Sequence, residues 1–198
     1  MDLSLKLLAL VLISFCLGSL PFAQLIARMH GVDLKHIGSG NYGATNLMRA
    51  CGKVWGATCL FLDALKGYLA CLAGAFLFQH NAWAVSAAAL LAILGHAYSP
   101  WTHFKGGKGA ATGLGILCFL SPLALGISVL IATALIASTR YVSLATLCVI
   151  WLLPFWFTLF ELPKAYTGLA VLAAGFISYK HADNIRRLYV GTEHKISW

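Results

Sequence analysis

Phe104-Lys105-Gly106-Gly107-Lys108-Gly109-Ala110-Ala111-Thr112 has the composition of a phosphate-binding turn. Glycine carries no side chain, so backbone N–H groups can close on an anion while lysine supplies charge. A Walker A loop would need glycine five positions before Gly-Lys, and Thr102 stands there, so no nucleotide is implied. Lys108 precedes an apolar segment, and its ammonium would add to the field at the start of a helix, a good phosphate seat. A basic loop touching lipid headgroups has the same composition. Just before it, Gly95-His96 closes another apolar segment, where a capping or packing histidine competes with a functional one.

Two further polar sets carry similar chemistry. Gly38-Ser39-Gly40-Asn41-Tyr42-Gly43-Ala44-Thr45-Asn46-Leu47-Met48-Arg49 supplies hydroxyls, amides and one arginine around glycines. Backbone N–H groups, Ser39 and a bidentate Arg49 can bind a phosphate, and the spacing of Thr45 and Arg49 puts both on one helix face. A turn-rich loop is the plain alternative. His181-Ala182-Asp183-Asn184-Ile185-Arg186-Arg187-Leu188, followed by Gly191-Thr192-Glu193, places His181 and Asn184 three apart on a helix. Arg186, Arg187 and Lys195 equally suit a tail lying on anionic lipid, which leaves the His–Asn pair without an account. Glu193 is read as pairing with a basic residue and holding the tail. Asp63 and Lys66, three apart, interrupt an apolar segment. A charge inside a bilayer is costly, so the pair is expected to neutralise itself facing the interior of a bundle, as a structural ion pair or as a substrate contact.

Several familiar sites are missing. There is no Gly-x-Ser-x-Gly elbow, and no histidine is followed five positions later by aspartate. Histidine and cysteine lack zinc spacing, and neither a metal nor a cofactor is expected. Cys16, Cys51, Cys59, Cys71, Cys118 and Cys148 contain no C-x-x-C pair and read as small buried hydrophobes.

The elements that must position these sets are membrane helices. Of 198 residues, 60% are hydrophobic and only 10% charged, too apolar for a soluble domain of this size. Apolar segments run over 3–27, 54–78, 83–99, 110–120, 122–138, 141–160 and 163–180, with polar stretches at 28–53, 100–109 and 181–198. The first segment lacks the basic start and small-residue cleavage site of a signal peptide and is read as one membrane helix. No internal repeat is visible. Residues 110–138 form either one kinked helix, giving six crossings, or two, giving seven; 110–120 is short of a full span and could meet 122–138 at Pro122. With seven, Arg28, Lys35, Arg49, Lys53, Lys105, Lys108, Arg140, Lys180, Arg186, Arg187 and Lys195 share one side, and only Lys6 and Lys164 lie on the other. That asymmetry favours seven helices, the N-terminus outside and the C-terminus in the cytoplasm. The fold expected is all-α: one integral membrane domain, 1–198, a polytopic helix bundle with its motif loops on the cytoplasmic side. The net charge of +8 serves orientation and anionic headgroups, so membrane lipids and not nucleic acid are the expected partners.

Gly-Ser-Gly-Asn-Tyr-Gly-Ala-Thr-Asn at 38–46, Lys-Gly-Gly-Lys-Gly-Ala-Ala-Thr at 105–112, and His-Ala-Asp-Asn-Ile-Arg-Arg-Leu with Gly-Thr-Glu at 181–193 resemble the three motifs of the bacterial acyl-phosphate:glycerol-3-phosphate acyltransferases. Smaller echoes lie at 18–23, 63–67 and 141–145, so the resemblance is collinear over nearly the whole chain; 99–103 departs from it. The resemblance implies a seven-helix enzyme of the bacterial inner membrane that moves an acyl group from acyl-phosphate to the 1-position of sn-glycerol 3-phosphate. It would form lysophosphatidate and inorganic phosphate at the opening of phospholipid synthesis, without coenzyme A or acyl carrier protein as direct donor.

Carried onto this chain, the resemblance gives His181, Ser39 and Lys108 catalytic roles. It gives substrate contacts to Gly38, Asn41, Thr45, Asn46, Arg49, Lys105, Gly106, Gly107, Gly109, Thr112 and Asn184. Asp63, Lys66, His96 and Glu193 are expected to support them. The proton acceptor is either His181 or a substrate phosphate. Two other classes share the basic loops: a carrier for organic phosphates, which should show repeats and midplane polar groups on several helices, and a non-catalytic lipid-binding subunit.

Overall fold

Proline divides the first apolar run. In the computed structural model, which describes residues 2–196, α1 covers Leu3–Ser19 and α2 covers Phe22–Met29. The single membrane helix expected here is therefore two, joined by a bend. Pro21 has no N–H to continue the ladder, and the residue before a proline is pushed out of the helical region. Leu20 accordingly sits at φ −57°, ψ 120°.

The remaining helices are α3 (Ala44–Cys51), α4 (Lys53–Leu77), α5 (Ala82–Ala97), α6 (Ala110–Leu120), α7 (Pro122–Thr139), α8 (Val142–Leu159), α9 (Lys164–Lys180) and α10 (Ala182–Tyr189). Of these, α4 to α9 follow the apolar segments closely, while the short α3 and α10 lie in the polar stretches 28–53 and 181–198. Short 3-10 turns occupy Leu34–His36 and Pro100–Thr102, and no strand occurs among the described residues. Polar side chains close helix starts that lack backbone partners. The Asn81 carboxamide oxygen accepts from Trp83 N at 3.0 Å and Ala84 N at 3.1 Å, and Ser121 Oγ accepts from Ala124 N at 3.2 Å.

Among the described residues, five helical runs are long and apolar enough to cross a membrane: Leu3–Met29 with its bend, Lys53–Leu77, Ala82–Thr102, Pro122–Thr139 and Val142–Leu159. α9, at 17 residues, stands at the lower limit for a span, and α6, at 11, falls below it.

Contacts gather into two compact units, 1–119 and 120–198. The first is built on small residues. A Cβ on Gly18 of α1 would overlap the Ala92 carbonyl of α5, and one on Gly95 of α5 would overlap the Phe15 carbonyl of α1. α4 and α6 meet the same way, Gly67 against Thr112 and Gly115 against Ala64. Apolar side chains gain little from leaving lipid, so close backbone approach supplies the van der Waals contact that joins such helices. In the second unit, Ile150 of α8 packs on Ala174 and Ile177 of α9. Its tail folds back on the turn between α7 and α8: Ile196 N donates to the Arg140 carbonyl at 2.9 Å, and Arg140 Nε donates to the Ile196 carbonyl at 3.1 Å.

This packing separates glycines by consequence. Gly95→Ala should destabilise the purified protein by about 1–3 kcal/mol, because backbone must move to admit the methyl. Gly126→Ala in α7 meets nothing within 4 Å and should be neutral or gain up to about 1 kcal/mol. Thermal unfolding in detergent distinguishes the two; equal melting temperatures would contradict the close α1–α5 contact.

Candidate active site

The first polar set is organised by one amide. Asn46, in the opening turn of α3, is 2% exposed. Its Nδ2 lies 3.0 Å from the Ile37 carbonyl, 3.1 Å from that of Asn41 and 3.2 Å from that of Leu34, and its Oδ1 accepts from Ser39 N at 3.1 Å. The loop is thus wrapped on a side chain, and a Cβ at Gly38, where φ is +53°, would crowd Asn46 Oδ1. Beneath it, Leu34 and Leu47 join Ala23, Ile26 and Ala27 of α2 and Cys59 of α4 in an apolar core. Asn46 therefore presents Ser39 and Asn41 through their backbones. Thr45 is half-buried and Arg49 exposed on the same helix, and Arg49 Cδ passes 3.5 Å from the place of a Gly38 Cβ. Arg49 and the Ser39 loop stand side by side.

At the second set two glycine amides bond to the protein itself. Gly106 N donates to the Ala97 carbonyl at 3.1 Å and Gly107 N to the His96 carbonyl at 3.2 Å, so the end of α5 engages both amides. A Cβ on Gly106 would overlap the His96 carbonyl; one on Gly107 would overlap His96 Nε2 and stand 2.9 Å from the Tyr42 carbonyl. The turn thereby touches the first polar loop. Gly109, at φ +88°, leads into α6, where its carbonyl accepts from Gly113 N at 2.8 Å. Lys105 is exposed and Lys108 half-buried, two residues before α6 begins, so the charge offered here is theirs. Thr112 is wholly buried against Gly67, with no hydrogen-bond partner for its hydroxyl among the described residues.

Under this turn lies the charged pair of α4. Lys66 Nζ is 2.8 Å from Asp63 Oδ1, and both side chains are 2% exposed. Lys66 also donates to the Leu20 carbonyl at 3.0 Å, and its ammonium lies 5.7 Å from the Phe22 ring centroid. Cys59 Sγ donates to Asp63 Oδ2 at 3.5 Å, and His96 Nδ1 is 3.7 Å from Asp63 Oδ1. A cleft with room for about one water molecule is lined by Ser19, Leu20, Phe22, Asp63, His96 and Gly107 among others.

The third set belongs to the second unit. His181 joins α9 to α10 and is 5% exposed. Its Nδ1 donates to the Ile177 carbonyl at 2.8 Å. A carbonyl only accepts, so the neutral ring carries its proton on Nδ1 and its lone pair on Nε2. Asn184 Nδ2 donates to Glu193 Oε1, which also accepts from Ser143 Oγ at 2.8 Å, while Arg187 Nε donates to Glu193 Oε2 at 2.7 Å. Burial by itself would raise the Glu193 carboxyl; the hydrogen bonds from Asn184, Arg187 and Ser143, with the Arg187 charge, outweigh it and hold the group below the usual carboxylate range.

Ser99 and Trp101 escape the motif reading, yet they hold the bend. Ser99 Oγ donates to the Ser19 carbonyl at 2.6 Å and Trp101 Nε1 to Ser19 Oγ at 3.2 Å. Pro21 is the available signal: a broken helix leaves carbonyls that something else must satisfy.

The sequence profile of the glycerol-3-phosphate acyltransferase family matches residues 8–191. The glycerol-3-phosphate acyltransferase of Aquifex aeolicus is 38% identical, covering 96% of this chain and 99% of the relative. That of Agrobacterium fabrum is 43% identical over 96% of this chain and 92% of its own. A crystal structure of PlsY, an integral membrane glycerol 3-phosphate acyltransferase in its glycerol 3-phosphate form, superposes with a TM-score of 0.92, at 38% identity and covering 96% of this chain and 95% of that one. Its lysophosphatidic acid form gives 0.89 at 37% identity, with the same coverage.

Two substitutions probe the side chains that build these sets. Asn46→Asp keeps the shape but turns a carboxylate toward three carbonyls; it should lower the melting temperature at least as much as Asn46→Ala, which leaves buried groups unpaired at about 1–3 kcal/mol each. A fully stable Asn46→Asp protein would contradict the wrapped loop. The folded Glu193 value lies below the unfolded one of about 4.3. Its stabilisation is therefore complete above that value and is lost as pH falls through the folded value. Glu193→Gln should be less stable than wild type at pH ~7, and the two melting curves should converge below about pH 4; a constant gap across that window would refute the assignment.

Proposed function

This chain belongs to the glycerol-3-phosphate acyltransferase family, and we propose that it transfers an acyl group from acyl-phosphate to the 1-hydroxyl of sn-glycerol 3-phosphate, releasing lysophosphatidate and inorganic phosphate. The observation that carries this reading is the packing of the glycine–lysine turn on the Ser39 loop through Gly107 and Tyr42, which gathers hydroxyl, arginine and lysine groups within one unit. The glycerol 3-phosphate and lysophosphatidic acid forms of the solved relative support the acceptor and the product.

Both substrates are phosphate anions, so the site must hold like charges together. Arg49 offers a planar fork for one phosphate, and Ser39 offers a hydroxyl beside it. Lys108 adds an ammonium just ahead of α6, where the helix field already favours an anion. The family motifs also assign His181 and Asn184, which lie in the second unit, to the phosphates. The acyl-phosphate is a mixed anhydride and arrives activated. The glycerol hydroxyl oxygen attacks its carbonyl carbon, an ester C–O bond forms, and the anhydride C–O bond breaks with its electron pair leaving on phosphate. The hydroxyl proton passes to His181 Nε2, whose lone pair is favoured by the Nδ1 donation to Ile177, or to an oxygen of a substrate phosphate. Positioning then supplies much of the rate, up to about 7–11 kcal/mol in favourable intramolecular reactions.

Seven crossings are the topology we favour: the five long runs with α6 and α9 added. This arrangement collects the basic residues on the cytoplasmic face of a bacterial inner membrane, where both water-soluble phosphate groups would be handled. A lipid-binding subunit has no need of the Ser39, His181 and Asn184 set, and a carrier should show internal repeats, which are not visible in the sequence.

Purified protein given acyl-phosphate and glycerol 3-phosphate, without coenzyme A or nucleotide, should release phosphate in step with lysophosphatidate. Absence of both products rejects the reaction. In the same assay Arg49→Lys should raise KM for glycerol 3-phosphate about tenfold or more, since the fork is lost; an unchanged KM removes Arg49 from the site. Near-normal turnover in His181→Gln would assign the proton to a substrate phosphate.

A further inference from the structure

We propose that His96 is a positioning residue for the glycine–lysine turn: its imidazole, seated on the buried Asp63–Lys66 pair, sets the place of Gly107 and through it that of Lys108. The effect on catalysis rests on the reading that Lys108 meets a substrate phosphate; the placing of the turn does not.

His96 touches the turn and the buried pair at different atoms. Its carbonyl accepts the Gly107 N–H at 3.2 Å. Its Nε2 edge fills the space a Gly107 side chain would need. Its Nδ1 lies 3.7 Å from Asp63 Oδ1, the oxygen that Lys66 holds at 2.8 Å. The ring is only 7% exposed, so it has little room to swing away. The same open face of Gly107 also meets the Tyr42 carbonyl, 2.9 Å from the place of its Cβ, so the first loop crowds the turn there too. Gly107 thus packs on both an imidazole anchored in the helices and the loop wrapped on Asn46. Lys108 is the next residue, and a shift of Gly107 carries its Cα along.

Reach is the property that matters. Glutamine at 96 extends an amide to about where Nε2 stands, whereas asparagine keeps a donor near Asp63 but stops short of Gly107. In the phosphate-release assay His96→Asn should raise KM for glycerol 3-phosphate about tenfold with kcat changed less than about threefold, the mark of lost binding common to ground and transition states. Substrate-free His96→Asn should also be cleaved several-fold faster by trypsin after Lys105 and Lys108. His96→Gln should restore both readouts toward wild type. Gly107→Ala disturbs the same contact from the other side and should reproduce the KM rise, which keeps the proposal testable if His96→Asn does not accumulate.

Wild-type KM and cleavage in His96→Asn, or wild-type KM in Gly107→Ala, would overturn the proposal. So would equal impairment of His96→Asn and His96→Gln with equal losses of melting temperature, which would make the ring a generic part of the fold. If wild type releases no phosphate, the proposed reaction fails, while the cleavage rates still decide whether His96 places the turn.

Discussion

Opposite charges on neighbouring turns of an apolar helix have no water to solvate them, and much of the first unit is arranged around that demand. Asp63 and Lys66 satisfy each other but not completely. An ammonium has three donors and a carboxylate has several acceptor positions. Lys66 takes the Leu20 carbonyl released at the proline bend, and Asp63 takes the Cys59 thiol and faces His96. One intramembrane pair therefore joins the α1–α2 bend, α4 and the end of α5, the elements on which the glycine–lysine turn rests. Replacing such a pair by apolar residues need not destabilise a fold, so what the pair contributes is the geometry it specifies.

Polar side chains in the motifs work largely on their own backbone. Asn46 holds a loop of the first unit, and Glu193, within the second, gathers Asn184, Arg187 and Ser143. A flexible loop would have to be ordered by the substrate, at a cost in affinity for each side chain immobilised. Beside the loops ordered in this way, Arg49 and Lys105 are exposed and Lys108 is half-buried.

The helices were legible because hydrophobic runs bounded by Gly, Pro, Ser and Asn leave few choices. Segment 110–120 coincides with α6, and 163–180 with α9 to within a residue. The spacing of Thr45 and Arg49 indicated α3 inside a stretch that otherwise reads as loop. The bend at Pro21 was also visible in principle, but a continuous apolar run hid it. Contacts between distant residues were not legible. Nothing in the order of residues says that His96 lies against Asp63, that Ser99 reaches Ser19, or that Ser143 reaches Glu193. The glycines of the turn had the right composition for phosphate binding, yet Gly106 and Gly107 direct their amides at α5. Composition marks where backbone comes close to something; only the packed neighbours say to what.

The bend at Pro21 also bears on biogenesis. A ribosome delivers α1 and α2 before Lys66 and Ser99 have been synthesised. Until those residues arrive, the Ser19 and Leu20 carbonyls must be met by water or by the insertion machinery, since lipid offers no donors. The N-terminal segment thus reaches its final shape only once α4 and the residues after α5 have joined it. Its final shape depends on parts of the polypeptide made much later.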